Sequence, residues 1–231
     1  MTLTLADITN DIITCERCPR LRDYCRQIAV EKRKAYRDDV YWGRPVPGFG
    51  DPRARLLVIG LAPAAHGGNR TGRVFTGDGR GASGEFLFAA MKDAGFANQI
   101  SCDRADDGLK LTDAYILATA RCAPPDNKPL PAEIQNCRIH LDRELDALRR
   151  VRVIVALGRL AWDAALLQLK RKGDVLQPRP EFGHCVVYRS TTSLSLIGSY
   201  HPSRQNTHTG RLTPPMLARV FLTARDLITK G

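Results

Sequence analysis

Leu56-Leu57-Val58-Ile59-Gly60 is an unbroken apolar run. It opens straight into Leu61-Ala62-Pro63-Ala64-Ala65-His66-Gly67-Gly68-Asn69-Arg70-Thr71-Gly72-Arg73-Val74-Phe75-Thr76-Gly77-Asp78. A short run of this kind, bounded by turn residues, reads as a buried strand. In open α/β sheets ligands sit beyond the carboxyl ends of strands, so the long loop that follows is a candidate site. Its glycines and one proline suggest a backbone shaped for close approach to something. The loop also carries an aromatic ring, Phe75, and a carboxylate, Asp78. The pair suits stacking on a flat ring with a negative charge held beside it.

Outward from this run, strands and helices alternate. Strands are expected at 55–60, 114–119, 152–157, 185–189 and 194–199. Helices are expected at 4–14, 83–94, 131–149, 159–171 and 213–228. Strands separated by helices predict a three-layer α/β/α fold with a central, mostly parallel sheet. No low-complexity linker interrupts the pattern, so residues 1–231 are expected to form one domain. Residues 19–38 are dense in charge and read mainly as a solvated helix face. Residues 41–52, rich in Pro and Gly, read as an ordered loop.

The chain has 35 Lys and Arg against 24 Asp and Glu, a formal charge of +11. An excess of that size favours a polyanionic partner, most commonly nucleic acid. No stretch approaches the length of a membrane span, and Met1 to Ile13 lack the features of a signal peptide. A cytoplasmic, nucleoid-associated monomer is expected. The seven cysteines are then more naturally ligands or core residues than disulfides.

Cys15 and Cys18 form a Cys-x-x-Cys turn that lets two thiolates share one centre. Cys122 and Cys137 can complete a four-sulfur set, with Cys25 able to replace either. Such a set fits zinc or an iron–sulfur cluster. Cys102 and Cys185 read as plain buried residues. Two further polar loops follow apolar strands. Arg121-Cys122-Ala123-Pro124-Pro125-Asp126-Asn127-Lys128-Pro129 offers Asn127, whose amide both donates and accepts, as reading a base edge requires. Ser199-Tyr200-His201-Pro202-Ser203-Arg204-Gln205-Asn206-Thr207-His208-Thr209-Gly210-Arg211 places His201 just past a strand end. It also offers Ser203, Arg204, Gln205, Asn206 and Arg211 as phosphate partners. Taken singly, His201 also reads as a hydrogen-bonded loop residue, and Asn127 as a turn former between prolines.

The three loops and the cysteines together resemble the iron–sulfur uracil-DNA glycosylases, closest to type b, or family five. The resemblance runs from about Cys15 to the last helix, and its first loop matches almost residue by residue. It implies an enzyme that everts uracil from DNA and hydrolyses the N-glycosidic bond. Other deaminated bases such as hypoxanthine are implied as further substrates. By resemblance Phe75 stacks on the base, with Ala62 in the same pocket, and Asn127 reads its edge. His201 supports the departing oxygen, and Asp78 assists water or the sugar cation. Cys15, Cys18, Cys122 and Cys137 would hold a [4Fe–4S] cluster. The first loop carries apolar Ala62 where many uracil glycosylases have Asp or Asn, which marks type b. No lysine stands ready as an amine nucleophile, so a monofunctional enzyme is expected. The competing readings are a DNA-binding module with a four-cysteine zinc site and a small-molecule hydrolase. The latter lacks a Gly-x-Ser-x-Gly elbow.

Overall fold

The computed structural model describes residues 3–79 and 81–230. Its strands are β1 (Phe49–Gly50), β2 (Leu56–Gly60), β3 (Ala114–Ala118), β4 (Val153–Leu157), β5 (Val187–Arg189) and β6 (Ser195–Ser199). Its helices are α1 (Leu5–Ile13), α2 (Pro19–Glu31), α3 (Gly68–Thr71), α4 (Ser83–Asp93), α5 (Pro131–Ala147), α6 (Arg159–Arg171), α7 (Arg204–His208) and α8 (Pro214–Lys230). Short 3-10 turns cover Lys34–Tyr36 and Pro125–Asn127.

The strands form one sheet in the order β1-β3-β2-β4-β6-β5. The four central strands are parallel, and the two edge strands run antiparallel to their neighbours. Each central strand is apolar on both faces because both faces are covered. Leu56 and Val58 point into one core layer with Ile116, Val155 and Ile197, beneath α4 and α8. Leu57 and Ile59 point the other way, joining Leu117, Ile154 and Leu196 beneath α5 and α6. The side-chain period of two thus builds both cores from the same five residues of β2. Trp162, fully buried on α6, fills the second layer.

Two edge features differ from the sequence reading. β1 lies inside the segment expected to be a loop, where Gly50, at φ 137°, packs against the backbone of Ala114. A Cβ there would meet Ala114 O at 2.4 Å, so only glycine lets this edge close. Within the segment 185–189 the regular strand begins at Val187; Cys185 precedes it at a left-handed φ of 58° and still donates its N–H to Gly198 O at 2.7 Å. Cys185 is also half-buried rather than enclosed, while Cys102 is buried as expected.

No described helix is long and apolar enough to cross a membrane. The charged segment 19–38 is mostly solvated, as its composition suggests, with one exception. Arg22 is buried and donates to Gly43 O at 3.1 Å. Tyr24 and Tyr36 are half-buried along a cleft that the exposed Arg33 also lines.

Candidate active site

The loops after β2, β3 and β6 meet at the carboxyl end of the sheet, around a cleft of about 790 Å³. The parallel register carries the first two loops side by side. Thr119 N donates to Gly60 O at 2.9 Å and Ala120 N to Leu61 O at 2.8 Å, which prolongs the ladder beyond the strands. Ala62, Phe75, Asp78, Asn127, His201, Ser203, Arg204 and Gln205 all line this cleft.

Phe75 takes a left-handed φ of 54°. This is a strained backbone for an aromatic residue, held by the surrounding contacts. Its ring lies against Gly60, where a Cβ would come within 2.9 Å of two ring carbons. The His201 imidazole stands 5.9 Å from the Phe75 centroid with 29° between planes. That separation leaves no room for a third ring between them, since stacked carbons need ~3.5 Å on each side. A flat guest therefore cannot be sandwiched between the benzyl ring and the imidazole, as a base enclosed by the two would require.

Asp78 sits over Gly67, whose missing side chain makes the space: a Cβ there would lie 1.9 Å from Oδ1. Burial pushes the Asp78 carboxyl up to about 6, while Arg204 and Arg70 pull it back. Arg204 Nη2 also donates to Asp78 O at 3.2 Å, closing the rim. Burial pulls His201 down to about 4. At neutral pH the site thus holds a mostly ionised carboxylate and an uncharged imidazole.

The carboxylate loop is braced by two buried arginines. Arg70 donates to Gly77 O at 2.7 Å, His66 O at 2.8 Å and Asp39 Oδ2 at 2.5 Å. Arg73 donates to Thr76 Oγ1, Ala105 O and Asp107, with its shortest Asp107 contact at 2.7 Å. Each guanidinium is thus engaged on several sides, which pre-sets the loop.

Asn127 is exposed at the cleft mouth, with a left-handed φ of 56° that asparagine tolerates better than most residues. Asn206 and Arg211 do not line the cleft. Asn206 Nδ2 donates to His201 O at 2.8 Å and so fixes the histidine backbone. Arg211 stacks over Tyr200 at 4.7 Å. The Ser203 hydroxyl caps α7 by accepting from Asn206 N at 3.4 Å.

The sequence reading missed one wall of the cleft, formed by Tyr24, Arg33, Tyr36 and His66. Tyr36 lies under the Arg70 guanidinium at 3.9 Å, and Tyr41 Oη pairs with His66 Nδ1 at 3.1 Å. Two tyrosines within a charge-rich segment were the available signal, because a fully solvated helix face seldom carries them.

The cysteines gather beside the same cleft. Cys18 feels the charges of Cys15 and Cys122, and Cys137 those of Cys122 and Cys18. Cys18, Cys122 and Cys137 are buried, and Cys15 is half-buried. Burial raises the Cys137 thiol to about 12. Cys25 is buried against Cys122, and its Sγ contacts Ala123 O at 3.5 Å. Among the described residues, no three His, Cys, Asp or Glu side chains converge as ligands of one metal ion. As a donor set, four neighbouring thiols have the chemistry that sulfur-ligated iron requires.

Residues 47–225 match the uracil DNA glycosylase superfamily. The chain is 48% identical over 226 residues to the type-5 uracil-DNA glycosylase of Mycobacterium tuberculosis, covering 97% of this chain and 82% of that protein. It is 45% identical over 216 residues to the type-5 uracil-DNA glycosylase of Thermus thermophilus, covering 94% of each. The type-4 uracil-DNA glycosylase of Archaeoglobus fulgidus is 28% identical over 209 residues. Carried by matches that span the sheet and all three loops at its carboxyl end, the conclusion is that this chain belongs to the uracil DNA glycosylase superfamily.

Proposed function

We propose that this enzyme hydrolyses the N-glycosidic bond of uracil everted from DNA and leaves an abasic site. The observation that carries the reading is the near-parallel pair of Phe75 and His201 at 5.9 Å, in one cleft with Asp78. Breaking the bond between C1′ and the base nitrogen leaves positive charge on the sugar and negative charge on the base. The site offers a group for each.

Eversion costs a few kcal/mol, least for a mispair such as uracil opposite guanine. Stacking on Phe75 offsets part of that cost. The exposed Asn127 amide meets the base edge with a donor and an acceptor. His201, kept uncharged by burial, donates an N–H to the oxygen that gathers charge. A neutral donor suits this step because it costs little to bury and needs no reorganisation as charge develops. Asp78, ionised above about pH 6, faces the sugar cation or orients the water that adds to C1′. The water proton leaves to solvent or to that carboxylate, and the sugar retains the hydroxyl. Ala62 contributes only an apolar surface there; of the two carboxylates that line the cleft, Asp78 is the enclosed one and Asp126 is exposed, and the chemistry is assigned to Asp78. The pocket is read as admitting hypoxanthine as well.

Ser203, Arg204 and Gln205 lie at the rim, where the strand backbone would pass. The reaction lacks a lysine nucleophile, and borohydride should trap no protein–DNA adduct. Cys15, Cys18, Cys122 and Cys137 are the residues that would hold a [4Fe–4S] cluster. When bound, such a cluster supplies a structural clamp that ties α2, α5 and the Asn127 loop together. Holding it would require deprotonated thiols, at a cost for Cys18, Cys122 and Cys137, whose surroundings keep them above the usual thiol range. A cytoplasmic location is part of the same reading.

The test is direct. Incubation with DNA carrying one uracil, followed by alkali, should give scission only at that position; intact strands would refute the reading. The purified protein should be brown, absorbing broadly near ~400 nm. Colourless, zinc-loaded protein would refute the cluster.

A further inference from the structure

A second cavity, of about 840 Å³, lies at the opposite end of the sheet. It is separated from the glycosylase cleft by the length of the strands, about 16 Å at ~3.3 Å per residue. Arg149, Arg150, Arg152 and Arg189 line it and are exposed. Among the described residues, none of the four pairs with a carboxylate within 4.0 Å, although the neighbouring Arg55 is held by Asp113 at 2.7 Å. Hydroxyl groups, including that of Ser195, complete the lining.

The sheet register sets these groups in a row. Leu56 pairs with Val153, Val153 with Ser195, and Ser195 with Arg189. Arg55 and Arg152 stand one residue before this row, Arg152 N donating to Arg55 O and Ser195 N to Arg152 O, so Arg55, Arg152, Ser195 and Arg189 mark the ends of four adjacent strands over about 14 Å at ~4.8 Å per strand. Arg149 and Arg150 flank the row from the turn after α5. Gathering four exposed like charges without acidic partners is unfavourable by itself, so a polyanion there relieves repulsion. Arginine forks match phosphate oxygens bidentately, and hydroxyl groups add donors. The row is too long for one phosphate, and duplex DNA presents one charge per ~1.7 Å of axis. A folded acidic protein would need apolar anchors as well, whereas Val151 and Leu194 in the lining are buried and Leu227 alone is partly open, beside the further cation Lys230.

The geometry points to a second, sequence-independent binding site for the backbone of nucleic acid, built by Arg149, Arg150, Arg152 and Arg189 at the end of the sheet remote from the glycosylase cleft. The chain then holds one duplex at each end and can pass between DNA segments without full release. This inference is separate from the excision chemistry.

Bridging tests it. The full-length protein is mixed with two short duplexes, one labelled with a donor dye and one with an acceptor, at about 100 mM salt, where screening sets in beyond ~10 Å. Energy transfer should appear with the unsubstituted protein. It should fall to background when all four arginines are replaced (Arg149→Ser, Arg150→Ser, Arg152→Ser, Arg189→Ser). Excision from a single short uracil duplex, measured in the same samples, should change less than twofold. This readout also shows that the variant is folded and keeps the two conclusions distinguishable. Absence of transfer with the unsubstituted protein, or equal transfer with the variant, would overturn the inference. So would binding of tripolyphosphate or an acidic peptide at these arginines that duplex DNA cannot displace.

Discussion

Asp78 is costly to the fold and useful to the site. Its carboxyl is raised from 3.8 to about 6, so the folded state favours the protonated form. The protonated group is harmless below about pH 4, and the penalty for its charge is complete above about pH 6. Asp78→Asn should therefore stabilise the protein at pH 8 by about 1–3 kcal/mol, with the gain vanishing near pH 4; thermal melts at the two pH values measure it. The same substitution should abolish most turnover while leaving affinity for uracil DNA nearly intact. Equal losses in both would refute the role in chemistry. Excision should fall as pH drops through about 6, because the carboxylate is lost there, whereas His201 protonates only near 4. His201→Ala should slow single-turnover excision by about 10²-fold or more, the scale of one lost donor. Retention of the acid limb in Asp78→Asn would transfer that limb to another group.

At the scale of elements, the site depends on loops that leave parallel strands together. Gly67→Ala would drive a methyl group into Asp78 and should displace the carboxylate. Single-turnover excision should drop at least tenfold, while DNA affinity holds; an unchanged rate would mean the loop relaxes freely. The strands β2, β3, β4 and β6 were legible because their residues are apolar on both faces, and the loop residues Phe75, Asp78, Asn127 and His201 because each follows such a run. β1 was hidden because two residues give no period to read. The wall of Tyr24, Arg33, Tyr36 and His66 was hidden because contacts between distant segments leave no local pattern. Asn206 and Arg211 stand outside the cleft, against His201 O and the Tyr200 ring. A polar side chain in a loop looks alike whether it meets a phosphate or its own backbone.

Across the whole molecule, a buried ion pair ties the edge of the sheet to α5. Arg121 pairs with Glu144, which also accepts from Gly48 N at 3.2 Å and Tyr115 Oη at 3.3 Å. Glu144→Ala would leave the guanidinium enclosed and uncompensated, and should cost about 3–5 kcal/mol in urea unfolding. A loss under 1 kcal/mol would mean that water reaches the arginine. The bracing of the carboxylate loop by Arg70 and Arg73 has a different kind of consequence. Those guanidinium groups clamp one jaw of the cleft to segments near Asp39 and Asp107, so adaptation to a guest falls to the opposite jaw. Under the proposed function, selection between bases then rests on the opposite jaw: a base whose outline it cannot match against the fixed side returns to the helix before the slow chemical event begins.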